Sequence, residues 1–187
     1  VRAELVNSGR AAVRTLGVPG ANHFNEGTLF IDGVLTGDTL TNGVGGFFGI
    51  DPQLGTPLVP GVDASGVAAF NDGEWRSGGT FATYEQSATG SISIVRSAPD
   101  RVVWPFQPPL LDVLGTASLD GLLNINIQVP PIPGHFTYPH LGDEYTLFEA
   151  GSILGTFDGW TLTGLPSEFT GELVYTNTAV KLRVVPA

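Results

Sequence analysis

The stretch Asn25-Glu26-Gly27-Thr28-Leu29-Phe30-Ile31 combines a turn signal with alternating apolar positions. Altered copies of this template recur along the first half of the chain, each starting with Asn or a substitute such as Ala88. The glycines of the successive copies are Gly9, Gly27, Gly43, Gly73 and Gly90. Most of them lie 16 to 18 residues apart, and only the step from Gly43 to Gly73 is longer. A turn followed by a period-2 strand at this spacing predicts stacked β-solenoid coils.

The rest of the sequence also predicts strands rather than helices. No segment carries apolar residues at helical spacing over three turns without an interrupting Gly or Pro. The sequence therefore predicts an all-β fold in which each strand has one solvent-exposed face. Strands are predicted at 2–6, 11–16, 28–35, 67–70, 74–76, 80–84, 91–96, 110–114, 116–119, 122–128, 144–149, 153–157, 160–163, 171–176 and 179–185.

The coils are predicted to occupy residues 1–109, with a Pro- and Gly-rich loop insertion near 46–63. Residues 110–187 are predicted to form a terminal coil and an antiparallel β cap, because the last coil of a solenoid exposes apolar interior and unpaired backbone. A three-residue hairpin loop is expected at Thr176-Asn177-Thr178. The predicted continuous core contains Leu5, Val13, Leu29, Ile31, Phe70, Ile92 and Ile94.

Composition restricts the partners. The net charge is −10 with only 8 Lys and Arg residues, which argues against nucleic acid and anionic lipid. Weak binding of divalent cations such as Ca²⁺ is a secondary expectation, and no other cofactor is predicted. The sequence has no Cys and no apolar run that could span a membrane. Because it lacks Met and starts in a strand-like pattern at Val1, we expect a processed or trimmed fragment of a longer precursor.

Several segments in the second half carry a family likeness. They include Leu111–Ile125, Leu141–Phe148 and Gly151–Phe157, followed by Leu173-Val174-Tyr175 before Val180-Lys181-Leu182. In this order they resemble the terminal coils and cap of bacterial autotransporter passenger domains, and still more the exported surface proteins with a PEP-CTERM sorting tail. The resemblance implies a right-handed parallel β-helix on the outside of a bacterial cell. It supplies no catalytic motif.

Candidate chemistry is sparse. His135 and His140 lie near Asp143 and Glu144, a donor set that could bind a divalent metal, but their loop setting favours ordinary surface residues. Carboxylate pairs on adjacent coils, such as Asp32 with Asp51 or Asp72 with Glu74, could support glycoside hydrolysis. Solvated carboxylates at the coil corners explain these pairs better. The sequence therefore predicts no enzyme, with no catalytic, cofactor or metal residues.

Aromatic and apolar residues suggest two binding modes, against the alternative that half-buried Trp and Tyr of β proteins are more often core edges and loop anchors. One is a sugar-stacking strip, for which the candidates are Trp75, Tyr84, Trp104, Phe106, Tyr138 and Trp160. The other is self-association through the Pro-rich loops, for which the candidates are Phe47, Phe48, Leu58, Trp104 and Phe106. The main functional prediction is a non-enzymatic structural or adhesive module at the bacterial cell surface or outside the cell. The alternatives are a self-assembling filament or sheath subunit, and a glycan-binding module or polysaccharide-active enzyme.

Overall fold

A computed structural model describes residues 5–17, 20–49, 62–76, 78–97, 111–128 and 139–187. Across these residues the fold is all-β and contains no helix, as the sequence predicts. No helix long and apolar enough to cross a membrane occurs in the part of the chain that the structure describes.

The strands are short, and most of them alternate between buried and exposed residues. Their bounds are β1 Val6–Asn7, β2 Arg10–Gly17, β3 Asn22–Asn25, β4 Thr28–Thr36, β5 Thr39–Asn42, β6 Phe47–Gly49, β7 Val62–Asn71, β8 Glu74–Arg76, β9 Gly79–Gln86, β10 Ser91–Ser97, β11 Leu111–Leu119, β12 Leu122–Gln128, β13 Glu144–Gly155, β14 Gly159–Thr163, β15 Phe169–Tyr175 and β16 Ala179–Pro186.

Parallel pairing arranges these strands in three ladders. Ladder 1 joins the first half of β2 and of β4 to β6, β8, β10, β12 and β14. Ladder 2 joins the second halves of β2 and β4 to the first halves of β7, β9 and β11 and the middle of β13. Ladder 3 joins β1, β3 and β5 to the second halves of β7, β9 and β11 and the end of β13. The chain visits the ladders in turn and then begins a new layer, an arrangement compatible with a β-solenoid.

The glycines Gly9, Gly27, Gly73 and Gly90 stack at the corner between ladder 3 and ladder 1, and in the third layer Gly46 rather than the predicted Gly43 takes this position. The carbonyl oxygen of Gly9 accepts a hydrogen bond from the backbone N–H of Thr28, and that of Gly27 accepts one from Phe47. A Cβ at Gly27 would collide with the backbone of Gly9 in the layer below. Glycine recurs here because only it allows two backbones to approach this closely.

The buried columns agree with most of the predicted core. Leu29, Ile31, Ile92 and Ile94 are all 0 to 1% exposed, which confirms their predicted positions. Leu5 is half-buried against the same core, whereas the side chain of Val13 lies outside the described residues. The prediction for Phe70 is wrong: its neighbours Ala69 and Asn71 point inward, so Phe70 points outward.

The parallel layers continue beyond residue 110. β10 pairs with β12 and β12 with β14, so ladder 1 extends to Thr163 without a break in pairing at 110. Parallel layers therefore extend to β14, and the antiparallel pairing is confined to β13, β15 and β16. β16 pairs antiparallel with the first half of β13, and β15 pairs antiparallel with β16.

Ion pairs hold the outside of this C-terminal hairpin. The guanidinium of Arg183 on β16 donates to the carboxylate of Glu144 on β13 at 2.8 Å and to that of Glu172 on β15 at 2.9 Å. The hydrogen bonds from Arg183, supported by Lys181, lower the pKa of Glu144. Charges thus tie the two antiparallel pairings together at the surface.

The sequence patterns missed three strands, β3, β5 and β6. The inward positions of β3 are His23 and Asn25, which are 1% and 0% exposed. Strand prediction expects apolar residues inside and polar residues outside. His23 hydrogen-bonds to backbone groups and Asn25 to Asn42, so both polar side chains are satisfied inside the fold and reverse the expected pattern. As a result, β3 looks like a loop in the sequence.

Candidate functional site

A column of buried asparagines lies inside the corner after ladder 3. The side-chain N–H of Asn7 donates to Oδ1 of Asn25 at 2.8 Å, Asn25 donates to Asn42 at 2.8 Å, and Asn42 donates to Asn71 at 3.0 Å. Each of these amides also donates to a carbonyl at the start of the ladder 1 strand one layer further on, as Asn25 does to Phe47 on β6 and Asn42 to Glu74 on β8. These asparagines begin the repeated template, and their amides serve the scaffold.

The asparagine column ends in a different pair of side chains. Asn71 donates to Oε1 of Gln86 at 3.4 Å, and the hydroxyl of Tyr84 donates to the same oxygen at 2.9 Å. The Nε2 of Gln86 donates to the carbonyls of Asp120 and Leu122 in the next layer. Gln86, not Ala88, therefore replaces asparagine in this copy. Burial raises the pKa of the Tyr84 phenol, which keeps it protonated as a donor.

The predicted sugar-stacking strip is not assembled. Trp75 and Tyr84 are 0% and 1% exposed and belong to the core, where the Trp75 ring centroid lies 4.2 Å from that of Phe48. Trp104, Phe106 and Tyr138 lie outside the described residues. Trp160 alone of the described candidates keeps a substantial surface, with 38% of it exposed.

The predicted association residues likewise do not form one exposed surface among the described residues. Phe48 is fully buried, so it offers no surface to a partner. Phe47 is half-buried on the outer side of ladder 1, where its ring packs edge-on against Phe30. The guanidinium of Arg76 lies 5.3 Å from the centre of the Phe47 ring and pairs with Glu74. Leu58, Trp104 and Phe106 lie outside the described residues.

One carboxyl pair that the sequence analysis did not identify occurs at the corner after ladder 3. The negative charge of Asp120, and a side-chain hydrogen bond that Asp120 accepts from the protonated Asp158 carboxyl, raise the pKa of Asp158. The only sequence signal for this pair is the dipeptide Asp-Gly, which recurs at Asp120-Gly121 and Asp158-Gly159. Of the predicted carboxylate pairs, Glu74 accepts a hydrogen bond from the guanidinium of Arg76. Asp51 and the side chain of Asp32 lie outside the described residues. Asp158 is exposed at a coil corner, a setting that gives a substrate few contacts.

The histidines do not form a metal centre in the part of the chain described. His140 is exposed, with Nδ1 3.8 Å from a carboxylate oxygen of Asp143, and His135 lies outside the described residues. No group of three or more His, Asp or Glu side chains that could hold a metal occurs among the described residues. His23 is buried, with Nδ1 3.4 Å from the backbone N of Leu5 and Nε2 3.0 Å from the carbonyl of Thr36.

The outer side of ladder 3 has a distinct composition. From β3 to β9, one outward column consists of Asn22, Thr39, Ala68 and Thr83. The neighbouring column consists of Phe24, Thr41, Phe70 and Glu85. The pairing is continuous in register across these four layers, and the two columns carry two aromatic rings and one charged side chain, Glu85.

The C-terminal end of ladder 1 has an open strand. Among the described residues, β14 pairs with β12 on one side and with no strand on the other. Trp160 on this strand aligns with Leu123, Ile92 and Trp75, each 0% exposed, whereas Trp160 itself is 38% exposed. The end of this inner column is therefore only partly covered.

Comparison with known proteins gives no family assignment: no family model matches the chain, and no curated protein is significantly similar to it.

Proposed function

We propose that this chain is a non-enzymatic structural and adhesive module of a bacterial surface, built as a right-handed parallel β-helix with a C-terminal antiparallel cap. The observation that supports the proposal best is the interior. Apolar columns and a hydrogen-bonded amide column run continuously through successive layers. Such an interior gives a regular scaffold with broad outer faces, which suits display and contact better than turnover of a small substrate.

Adhesion can be tested with beads coated with the chain. Under shear flow, we expect these beads to be retained several-fold better on bacterial cells and hydrated polymer films than beads coated with an equally acidic globular protein. Heat-unfolded chain on the beads serves as a second control, since adhesion by a folded face must be lost on unfolding. Retention no better than the acidic control on every surface would contradict the adhesive function.

A second candidate function is a self-associating subunit, and the open edge of β14 favours it. An unpaired strand edge presents backbone donors and acceptors that another strand can pair with. β14 reads Gly-Trp-Thr-Leu-Thr and has no charged residue or proline to discourage pairing. Antiparallel pairing with the same strand of a second copy, centred on Thr161, would set Trp160 opposite Leu162 and oppose no charges.

The edge pairing predicts a measurable dimer. In sedimentation equilibrium, the association constant should rise with salt, because salt screens the repulsion between copies of net charge −10. Thr161→Lys should reduce association by roughly tenfold or more, since it places two like charges at the shared edge. Ser93→Lys adds the same charge in the same outward column, two layers from the edge, and should change it little. A parent chain that is monomeric in all salts, or equal losses in both variants, would exclude pairing through β14.

A further inference from the structure

The outer face of ladder 3 combines features that point to one class of ligand. Phe24 is 36% exposed although it lies in a regular strand, and Phe70 is half-buried in the same outward column. Thr41 lies between the two rings in that column. Hydroxyl and amide groups of Asn22 and Thr39 fill the neighbouring column. Aromatic rings set among neutral hydrogen-bonding groups are suited to ligands that have both apolar C–H faces and hydroxyl groups.

We propose that this outer face binds a neutral, extended polysaccharide that runs across the strands of ladder 3, with sugar rings stacked on Phe24 and Phe70. The inference rests on the proposed adhesive function and names the ligand class that one face of the module contacts.

The backbone spacing of the two phenylalanines fits such a chain. Phe24 and Phe70 both align with Thr41, from opposite sides, so their Cα atoms are two strand spacings apart, roughly 9–10 Å. In an extended β-1,4-linked polysaccharide each sugar is about as long as one strand spacing, and alternate sugars present the same face. Two sugars separated by one can therefore stack on the two phenyl rings, while the sugar between them lies over Thr41.

The charge of the two outward columns disfavours charged ligands. Glu85 is the one charged side chain in the two outward columns from β3 to β9, and it lies in the last layer. The chain as a whole has a net charge of −10, which repels anionic polysaccharides and nucleic acids. A face without a cluster of carboxylates also offers little to a cationic partner. A neutral ligand is neither repelled by the net negative charge nor dependent on carboxylates in these columns.

The contacts beneath the face keep its groups in place before a ligand binds. A Cβ at Gly43 would lie 3.2 Å from Cζ of Phe24, so the ring rests on the backbone of the next layer. The hydroxyl of Thr39 donates to Oδ1 of Asn22 at 2.8 Å, which orients that amide. Little side-chain ordering is then required on binding, and this reduces its entropic cost.

The test is depletion of the purified chain by insoluble cellulose and chitin, with soluble alginate as an anionic comparison. We expect the parent to bind the neutral polymers equally at low and high salt, because no ion pair is involved. Phe24→Ala and Phe70→Ala should each weaken binding by roughly 2- to 12-fold. Phe24→Tyr should retain most of it. Val95→Ala removes an exposed apolar side chain on the outer side of ladder 1 and should have no effect.

The outcomes separate this inference from the proposed function. No depletion of the parent, or equal depletion of the Phe24→Ala/Phe70→Ala double variant, overturns the polysaccharide site. If beads coated with that double variant are still retained on other surfaces, the proposed adhesive function holds and does not depend on the polysaccharide site. If the parent instead forms dimers that the double variant does not, the face is an interface between copies and the inference is wrong. Circular dichroism confirms folding, which outward substitutions should preserve.

Discussion

Replacing Trp75 with alanine should lower the free energy of unfolding by about 3–5 kcal/mol, the largest effect we expect from a single substitution. The indole is fully buried, and its ring centroid lies 4.2 Å from Phe48, 5.4 Å from Phe81 and 5.6 Å from Tyr84. Removing it leaves a cavity between layers that the surrounding strands can fill only by breaking their own register. Thermal or urea unfolding followed by circular dichroism measures the loss.

Trp160→Ala is the matched control for this substitution. Trp160 lies in the same inward column at its C-terminal end, where it is 38% exposed and has no described layer above it. Removing a partly exposed indole gives up less burial free energy and leaves no closed cavity. The loss in unfolding free energy for Trp160→Ala should therefore be less than half that for Trp75→Ala. Equal losses for the two variants would contradict the burial gradient along the column.

Substitutions at Asn42 should produce the second-largest effect. Its side chain is fully buried, accepts from Asn25, and donates to Oδ1 of Asn71 and the carbonyl of Glu74. Asn42→Ala leaves these partners unsatisfied and should cost about 3 kcal/mol, at roughly 1 kcal/mol for each lost bond. Thr41→Ala, at the adjacent outward position, should change stability by no more than about 0.5 kcal/mol.

Asn42→Asp adds a test that depends on pH. A carboxylate there has no proton to donate and faces the oxygens of Asn71 and Glu74, so its folded-state pKa must lie above the unfolded value of about 3.9. A raised carboxyl pKa destabilises the fold at neutral pH, and this loss shrinks as pH falls toward the unfolded pKa. The difference in unfolding free energy between variant and parent should therefore narrow between pH 7 and pH 4. A constant difference over that range would show that the introduced carboxylate escapes to solvent.

Local sequence pattern is sufficient to specify the class of fold. A glycine that recurs where two backbones must approach, followed by alternating apolar positions, specifies a turn and a half-buried strand in each layer. Spacing alone predicts the inward positions of Leu29, Ile31, Ile92 and Ile94, because alternation fixes which residues share a face. It also indicates that antiparallel strands follow the coils, since Thr176-Asn177-Thr178 separates two strand patterns.

The placement of polar and aromatic residues, by contrast, depends on how the layers pair. Asn25 and His23 are buried because neighbouring layers supply their hydrogen-bond partners, and those partners are about one coil away in sequence. Phe70 points outward because Asn71 must join the amide column and adjacent strand residues face opposite ways. The pairing of Asp120 with Asp158, the neutral face with Phe24 and Phe70, and the open edge at β14 likewise depend on how layers stack. Spacing along the chain does not encode that register, since loops of different length separate the layers.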